Sequence, residues 1–211
     1  MNLSIIIPAY ITSKKGADDL HALIRKIYAQ LDPDFNELLV VNDGSTVEVD
    51  WEELIGVSYH HLDGNHGVAY ARNYGIDESA GKWINFIDAD DDVPVNFVSI
   101  LTDRICFWNL LPCPPDIIQF QAKHQDGNIA FPEPCAWGKL IRREWIGDDR
   151  FDPDQLVGEE DTLFLKPGKE KRLIYDDGII YHHRQDANPD SLMKRYWRGE
   201  VPQRRIHEAQ K

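Results

Sequence analysis

The chain has 211 residues, 42% of them hydrophobic and 28% charged, which is long enough and apolar enough for one well-cored globular domain. Its net charge of −13 argues against general binding of nucleic acids or anionic membranes. No segment has the length and apolarity of a membrane span, the start lacks the features of a signal peptide, and three cysteines without a CxxC pair argue against a disulfide framework. The sequence therefore predicts a cytoplasmic protein with free thiols.

Short apolar segments alternate with helical patterns over the first hundred residues. Continuous runs of Ile, Val and Leu predict buried strands, and apolar residues at the 3.6-residue period predict helices. Such alternation is typical of an α/β domain with a mostly parallel central sheet flanked by helices. In chain order, the predicted elements are a strand at 3–7, a helix at 17–31, strands at 37–41 and 57–61, a helix at 67–79, a strand at 82–87 and a helix at 96–108.

Polar turn residues follow each of the three strongest predicted strands. The first strand is followed by PAY (8–10), the second by NDGS (42–45) and the third by DADDD (88–92). In a parallel sheet the carboxyl ends of the strands meet at one edge, and ligands bind beyond that edge. We therefore expect a ligand site where these three segments come together.

The third of these segments concentrates four carboxylates in five positions. Asp88 and Asp90 leave an extended segment two residues apart, so their side chains point the same way. Such a pair suits Mg²⁺ or Mn²⁺, which usually takes one or two protein carboxylates and completes its shell with water and phosphates. The alternative is a solvated acidic turn. We favour the metal site and expect Asp91 and Asp92 on its solvated flank.

Two other positions add to this pattern. Asp43 precedes Gly44 at the end of the second strand, where its carboxylate can accept a hydrogen bond from the edge of a base such as uracil or can form an Asx turn. Arg72 and Asn73 lie on the predicted helix 67–79, and arginine is suited to holding phosphate oxygens, although it is also common on surfaces.

The segments SIIIPAY, LLVVNDGST, NHGVAYARNYGI and WINFIDADD resemble, in order and spacing, the family 2 glycosyltransferases of the GT-A fold. The likeness continues with CAWGKLIRREWI (135–146), GEEDTLF (158–164) and YHHRQDANPDSLM (181–193). The resemblance implies a single GT-A domain over 1–211. Its parts would be a nucleotide-binding half (1–104), an acceptor-side half (105–193) and a basic C-terminal tail (194–211).

The resemblance also assigns a nucleotide pocket, in which Asp43 reads the base, Arg72 lies near the base or diphosphate, and Asp88 contacts the ribose or sugar. The full implied set is Pro8, Ala9, Tyr10, Asp43, Gly44, Arg72, Asn73, Asp88 and Ala89.

For the chemistry, the resemblance implies that Asp90 ligates the Mn²⁺ or Mg²⁺ that bridges the diphosphate, with Asp88 beside it. Asp161 would be the general base, with its neighbour Glu160 as the alternative. His182 or His183 would add a metal or phosphate contact. Because adjacent residues of a strand face opposite sides, at most one of these two histidines should point into the site.

The expected function is metal-dependent transfer of a sugar from a nucleotide-sugar, with a UDP-sugar favoured, to an acceptor hydroxyl with inversion. A glycan, a lipid-linked sugar, a protein side chain and a modified nucleobase all remain open as acceptors. The tail 194–211 predicts a weak contact with a phosphate-bearing acceptor or a lipid surface, unless it is simply a solvated helix end. Two alternatives are a nucleotidyltransferase and a non-catalytic nucleotide-sugar-binding module.

Overall fold

The chain is built around one mixed sheet, seen in a computed structural model that describes residues 1–51, 54–131, 135–155, 163–184 and 198–200. Within these ranges the sheet has eight strands. The elements in chain order are β1 (Leu3–Ala9), α1 (Lys14–Tyr28), β2 (Asn36–Asn42), β3 (Val57–His61), α2 (Val68–Glu78), β4 (Trp83–Phe86), α3 (Phe97–Asn109), β5 (Ile117–His124), β6 (Ile129–Ala130), β7 (Lys139–Arg142), α4 (Arg143–Ile146) and β8 (Leu173–His183).

The first four strands form a parallel block in the order β3-β2-β1-β4. All seven residues of β1 are buried, as expected for a central strand covered on both faces. Its Ile6 pairs with Leu39 of β2 on one side and with Phe86 of β4 on the other. This register brings the carboxyl ends of the three strands to one edge, as the sequence predicts.

The second half of the chain extends the same sheet beyond β4. Strand β7 pairs antiparallel with β4 and with β5, while β8 runs parallel to β5 along its whole length. The short β6 pairs antiparallel with the end of β5. The expectation of an α/β fold with a mostly parallel sheet is therefore confirmed.

The helices pack their apolar faces on this sheet. Helix α1 begins at Lys14 rather than at residue 17, because the side chain of Ser13 caps it by accepting a hydrogen bond from the backbone N–H of Gly16 at 3.1 Å. The described helices have between 4 and 15 residues, and none of them is long and apolar enough to cross a membrane. The cytoplasmic location remains a prediction.

Candidate functional site

The carboxyl ends of β1, β2 and β4 bring the predicted site residues to one edge of the sheet. Ala9 ends β1, and its carbonyl accepts the backbone N–H of Asp43 at 2.8 Å, which joins the loops after β1 and β2. The backbone N–H of Ile87 donates to the carbonyl of Ile6 at 3.0 Å, so the pairing of β4 with β1 continues up to residues 88–92, which we call the acidic loop. Pro8 and Ala9 are buried, whereas Tyr10 is exposed at the rim.

Asp43 anchors the loop that leads into α2. Its buried carboxylate accepts the backbone N–H of His66 at 2.7 Å and that of Gly67 at 2.8 Å, so it places negative charge at the start of that helix. Gly44 lies against the same loop with φ 68°, and a Cβ there would come within 2.5 Å of the carbonyl carbon of Gly64. Any base contact by Asp43 would be made in addition to these two bonds.

Arg72 is buried in α2 and donates from Nη2 to Oδ1 of Asp88 at 2.9 Å. Its guanidinium carbon lies 6.0 Å from the ring centre of Phe86 and 5.8 Å from that of Phe151. Asn73, the next residue, turns its amide to Phe151 and exchanges two hydrogen bonds with that residue's backbone, at 2.8 and 2.9 Å. Arg72 thus reaches the acidic loop, whereas Asn73 ties α2 to residue 151.

Asp90 has a strongly perturbed carboxyl. Burial raises the pKa of Asp90 to about 7, and the charges of Asp91 and Asp88 add to the shift. Among the described residues, no three His, Cys, Asp or Glu side chains form a ready-made metal cluster. The loop offers carboxylate oxygens but no complete set of protein ligands among the residues that the structure describes. Such a partial set fits Mg²⁺ or Mn²⁺, which takes its remaining ligands from water and substrate phosphates.

The expectation that Asp91 lies on the solvated flank is wrong. Its side chain is 2% exposed and accepts hydrogen bonds from the Tyr181 hydroxyl at 2.6 Å, from His183 Nδ1 at 3.2 Å and from the backbone N–H of Arg184 at 2.6 Å. These three donors offset the cost of burying the carboxylate. They all come from the end of β8, far away in sequence.

Asp92 is also held by partners rather than left in solvent. Its backbone N–H and C=O exchange hydrogen bonds with those of His182, at 3.1 and 2.8 Å. Lys26 of α1 donates to its carboxylate at 2.6 Å, and Arg184 lies 3.3 Å away. Burial acts to raise the pKa of Asp92, but the bonds from Lys26 and from the Val93 backbone outweigh it, so the pKa is lowered.

The sequence assigned no role to two aromatic side chains that lie under the acidic loop. Trp137 stacks on Tyr181, with ring centres 4.4 Å apart and planes 12° apart, and on His183 at 5.2 Å and 17°. The hydroxyl of Tyr181 also accepts the backbone N–H of Asp88 at 3.1 Å. Tyr181 and His183 are two residues apart on a strand, so the period of two was the available signal that they share a face.

The two candidate histidines play different parts. His183 contacts Asp91 through its ring, and that hydrogen bond raises the pKa of His183. His182 pairs with Asp92 through its backbone, and burial lowers the pKa of its ring. The candidate bases Asp161 and Glu160 lie outside the described residues.

Solved structures share this architecture. TarS of S. aureus (residues 1–349) superposes with a TM-score of 0.70 over 87% of this chain and 60% of that chain, at 16% identity, and another structure of it holds UDP-GlcNAc. The mannosyltransferase PcManGT of Pyrobaculum calidifontis, solved with GDP-Man and Mn²⁺, superposes with a TM-score of 0.63 over 86% of this chain and 56% of that chain, at 15% identity. These likenesses show the fold, and the predicted GT-A architecture is confirmed.

Sequence comparison identifies the family. The Escherichia coli K12 protein called uncharacterized glycosyltransferase YibD is 33% identical over 106 residues, which are 47% of this chain and 29% of that protein. The chain thus spans less than a third of that relative's length. The model of the family described as Glycosyl transferase family 2 matches residues 4–127, which is more than half of the chain. The predicted family is therefore confirmed, and the chain belongs to glycosyl transferase family 2.

Proposed function

We propose that this chain transfers a sugar from a nucleotide-sugar to an acceptor hydroxyl, in a reaction that depends on Mn²⁺ or Mg²⁺ and inverts the anomeric carbon. The observation that carries the proposal is the convergence of Asp43, Arg72, Asp88 and Asp90 beyond the carboxyl ends of parallel strands. Sites for charged ligands are built at such edges. Membership in the family supports the reaction class.

The donor pocket is proposed between the loops after β1 and β2 and the acidic loop. Tyr10 is exposed at its rim, and Arg72 and Asp88 form the ion pair on its diphosphate side. Uridine is the favoured base because the TarS structure holds UDP-GlcNAc, while the GDP-Man of PcManGT makes guanosine the main competitor. The proposed contact set is Pro8, Ala9, Tyr10, Asp43, Gly44, Arg72, Asn73, Asp88 and Ala89.

Asp90 is the proposed metal ligand, with Asp88 and His183 as its neighbours and His182 as the weaker candidate. Burial and the charges of Asp91 and Asp88 raise the pKa of its carboxyl, whereas the carboxylate of Asp92 has Lys26 as a partner. The cation, when bound with the donor, neutralises the charge that develops on the departing diphosphate. The protein's own part is to hold the carboxylates at one edge of a rigid sheet.

Asp161 is the proposed general base, with Glu160 as the alternative. The base takes the acceptor's hydroxyl proton as the acceptor oxygen bonds to the anomeric carbon and the bond to the diphosphate oxygen breaks. A positioned base contributes about 10²- to 10⁴-fold to the rate. A single displacement of this kind inverts the anomeric carbon and needs no second carboxylate nucleophile.

The acceptor side is proposed in the second half of the chain, 105–193, beside the nucleotide-binding half, 1–104, in one domain. A glycan, a lipid-linked sugar, a protein side chain and a modified nucleobase are each compatible with this arrangement. Weak surface contact through the basic tail 194–211 would favour an acceptor that carries phosphate.

Calorimetric titration with UDP, GDP, dTDP and CMP, each with and without Mn²⁺, tests the donor site. We expect one nucleotide to bind, to bind more tightly with Mn²⁺, and to lose the metal's contribution in Asp90→Ala. Asp148→Ala is the matched control, because Asp148 is an exposed acid in another acidic pair, far along the chain. If no nucleotide binds in either condition, the proposal is wrong.

Substitution of the proposed base separates binding from chemistry. Asp161→Asn should bind the donor nucleotide with unchanged affinity and lower the turnover of the nucleotide-sugar by about 10²-fold or more. Release of the free nucleoside diphosphate measures this turnover. Full activity in Asp161→Asn together with loss in Glu160→Gln would move the role to Glu160.

A further inference from the structure

We infer that Asp91 is a positioning residue that acts on the metal–diphosphate site through His183, an inference that rests on the proposed function. Asp91 lies between Asp90 and Asp92 in the acidic loop, yet its side chain is directed into the protein and not to the edge of the sheet where a ligand would bind. Its carboxylate therefore serves other residues of the site.

The hydrogen bonds to the Asp91 carboxylate come from the end of β8 and from the residue that follows it. Oδ2 accepts from the Tyr181 hydroxyl and from His183 Nδ1, and Oδ1 accepts from the backbone N–H of Arg184. A buried carboxylate with donors on both oxygens has one fixed orientation, and it fixes its donors in return. The end of β8 is thereby held against the acidic loop.

The His183 ring is confined on more than one side. Trp137 stacks on it with ring centres 5.2 Å apart, and His124 meets it edge-on at 5.4 Å and 87°. Because a carboxylate can only accept hydrogen bonds, the bond to Asp91 places a proton on Nδ1. In the neutral ring Nε2 then keeps its lone pair and becomes the nitrogen able to bind a metal ion.

Tyr181 also connects Asp91 to Asp88 at the start of the acidic loop. Its hydroxyl donates to Asp91 and accepts the backbone N–H of Asp88 at 3.1 Å. The orientation of Asp91 thus determines the position of Tyr181, and through it the position of the Asp88 backbone. A single buried carboxylate connects two members of the proposed metal site, Asp88 and His183.

A double-mutant cycle tests whether Asp91 acts through His183. The variants are Asp91→Asn, His183→Ala and the double variant, and the measured quantity is the affinity for Mn²⁺ in the presence of saturating UDP. We expect each single variant to weaken Mn²⁺ binding by about 10- to 100-fold, and the double variant to lose clearly less than the product of the two single losses, because part of the effect of Asp91 passes through His183 and the rest through Tyr181. Losses that multiply, or an unchanged affinity in Asp91→Asn, would overturn the inference.

Nitrogen NMR shifts of the His183 ring give a second reading that needs no ligand. In the wild-type chain at a pH where the ring is neutral, Nδ1 should carry the proton, and Asp91→Asn should abolish this preference. If Asp91→Asn does not fold, the wild-type spectrum decides alone: a ring protonated on Nε2 overturns the inference.

Asp116→Asn controls for a general loss of stability. The Asp116 side chain is 15% exposed, accepts from Arg142 and Arg172, and lies at the start of β5, the opposite end of that strand from His124. This variant should keep the Mn²⁺ affinity. If the wild-type chain binds neither UDP nor another nucleotide with Mn²⁺, the proposed function fails and the inference falls with it. If the wild-type chain binds and the cycle is additive, only the inference fails.

Discussion

At the scale of single residues, Asp90 is the residue that favours the proposed metal site over a solvated turn at the acidic loop. Asp91 and Asp92 are each compensated by donors from other elements, whereas burial and its neighbours raise the pKa of Asp90 to about 7. A protein gains nothing in stability from such a carboxyl, which is typical of groups kept for binding or catalysis.

The affinity for Mn²⁺ in the presence of UDP should therefore depend on pH through Asp90. Below pH 7 the carboxyl is protonated and cannot ligate, so the affinity should fall by about tenfold for each pH unit below this pKa and level off above it. Calorimetry across this range measures the effect. An affinity that stays flat down to the ordinary pKa of an aspartate, 3.8, would contradict it.

The same shift predicts that Asp90→Asn stabilises the metal-free protein. The pKa of Asp90 is about 7 when folded and 3.8 in the reference state, so the folded chain holds this proton more tightly. The stability that this tighter proton binding adds to the folded chain is fully present below pH 3.8, falls as the pH rises to 7, and is lost above pH 7. Asn mimics the protonated form, so Asp90→Asn should add about 1–3 kcal/mol to the free energy of unfolding at about pH 8 and less at about pH 5.

Urea unfolding of the metal-free chain at both pH values measures this difference. Asp148→Asn is the control because that side chain is exposed, and its effect should stay within about 0.5 kcal/mol at either pH. A destabilised Asp90→Asn at the higher pH would show that the Asp90 carboxylate is held by donors in the folded state.

Some of these residue roles could be predicted from the sequence, and others could not. The period of two along a strand directed attention to Asp88 and Asp90 as a cation site, but β4 ends at Phe86 and Asp90 lies in a turn, so the alternation of a strand does not apply to this pair. The burial of Asp91 was not predictable, because its donors Tyr181 and Arg184 lie some ninety positions later and reach it only once β8 has joined the sheet. Local pattern carries no information about such contacts.

At the scale of elements, Arg143 determines how α2 ends against the sheet. It donates from Nη1 to the carbonyl of Ile76 at 2.8 Å, from Nε to the carbonyl of Gly81 at 2.7 Å, and from Nη2 to the hydroxyl of Ser79 at 2.5 Å. The carbonyl of Ile76 lies in the last turn of α2, where a cation also interacts favourably with the helix dipole, and that of Gly81 lies in the segment between α2 and β4.

Arg143→Ala should therefore destabilise the chain by about 2–3 kcal/mol, because the carbonyls of two buried residues lose a charged donor. Urea unfolding measures the loss. Arg150→Ala is the matched control: Arg150 also contacts α2, through Asp77, but this ion pair is largely exposed, so its loss should cost less than about 1 kcal/mol. Equal losses in the two variants would contradict the capping role.

The elements themselves were predicted best where one face or both faces of a segment are buried. The runs in β1 and β2 and the apolar stripe of α1 are local signals, and they gave the parallel block to within a few residues. Of strand β8, only the end at His182 and His183 was predicted, because Asp176 to Gly178 interrupts the apolar pattern of the rest. At this interruption the pairing of β8 with β5 shifts register, next to Phe120 and Gln121 of β5.

At the scale of the whole molecule, the net charge of −13 opposes the binding of an anionic nucleotide. Arg72 is buried and paired with Asp88, and Lys26 is paired with Asp92. The positive charge of each side chain is therefore largely neutralised by its carboxylate and attracts phosphate only weakly. A divalent cation adds two positive charges at the point where the acidic loop concentrates negative charge. Metal and nucleotide should therefore bind together far better than either binds alone.

This coupling predicts a cooperative gain in thermal stability. A ligand pair at about 100 times its dissociation constant stabilises the folded state by about 2.7 kcal/mol, which for a chain of this size corresponds to a rise in Tm of about 5–10 °C. UDP with Mn²⁺ should give this rise in differential scanning fluorimetry, while UDP alone and Mn²⁺ alone should each give a small fraction of it. In Asp90→Ala the combined effect should fall to the sum of the separate ones, because the carboxylate that joins metal to protein is gone. If Mn²⁺ and UDP shift the Tm of the wild-type chain additively, the two ligands do not share a site.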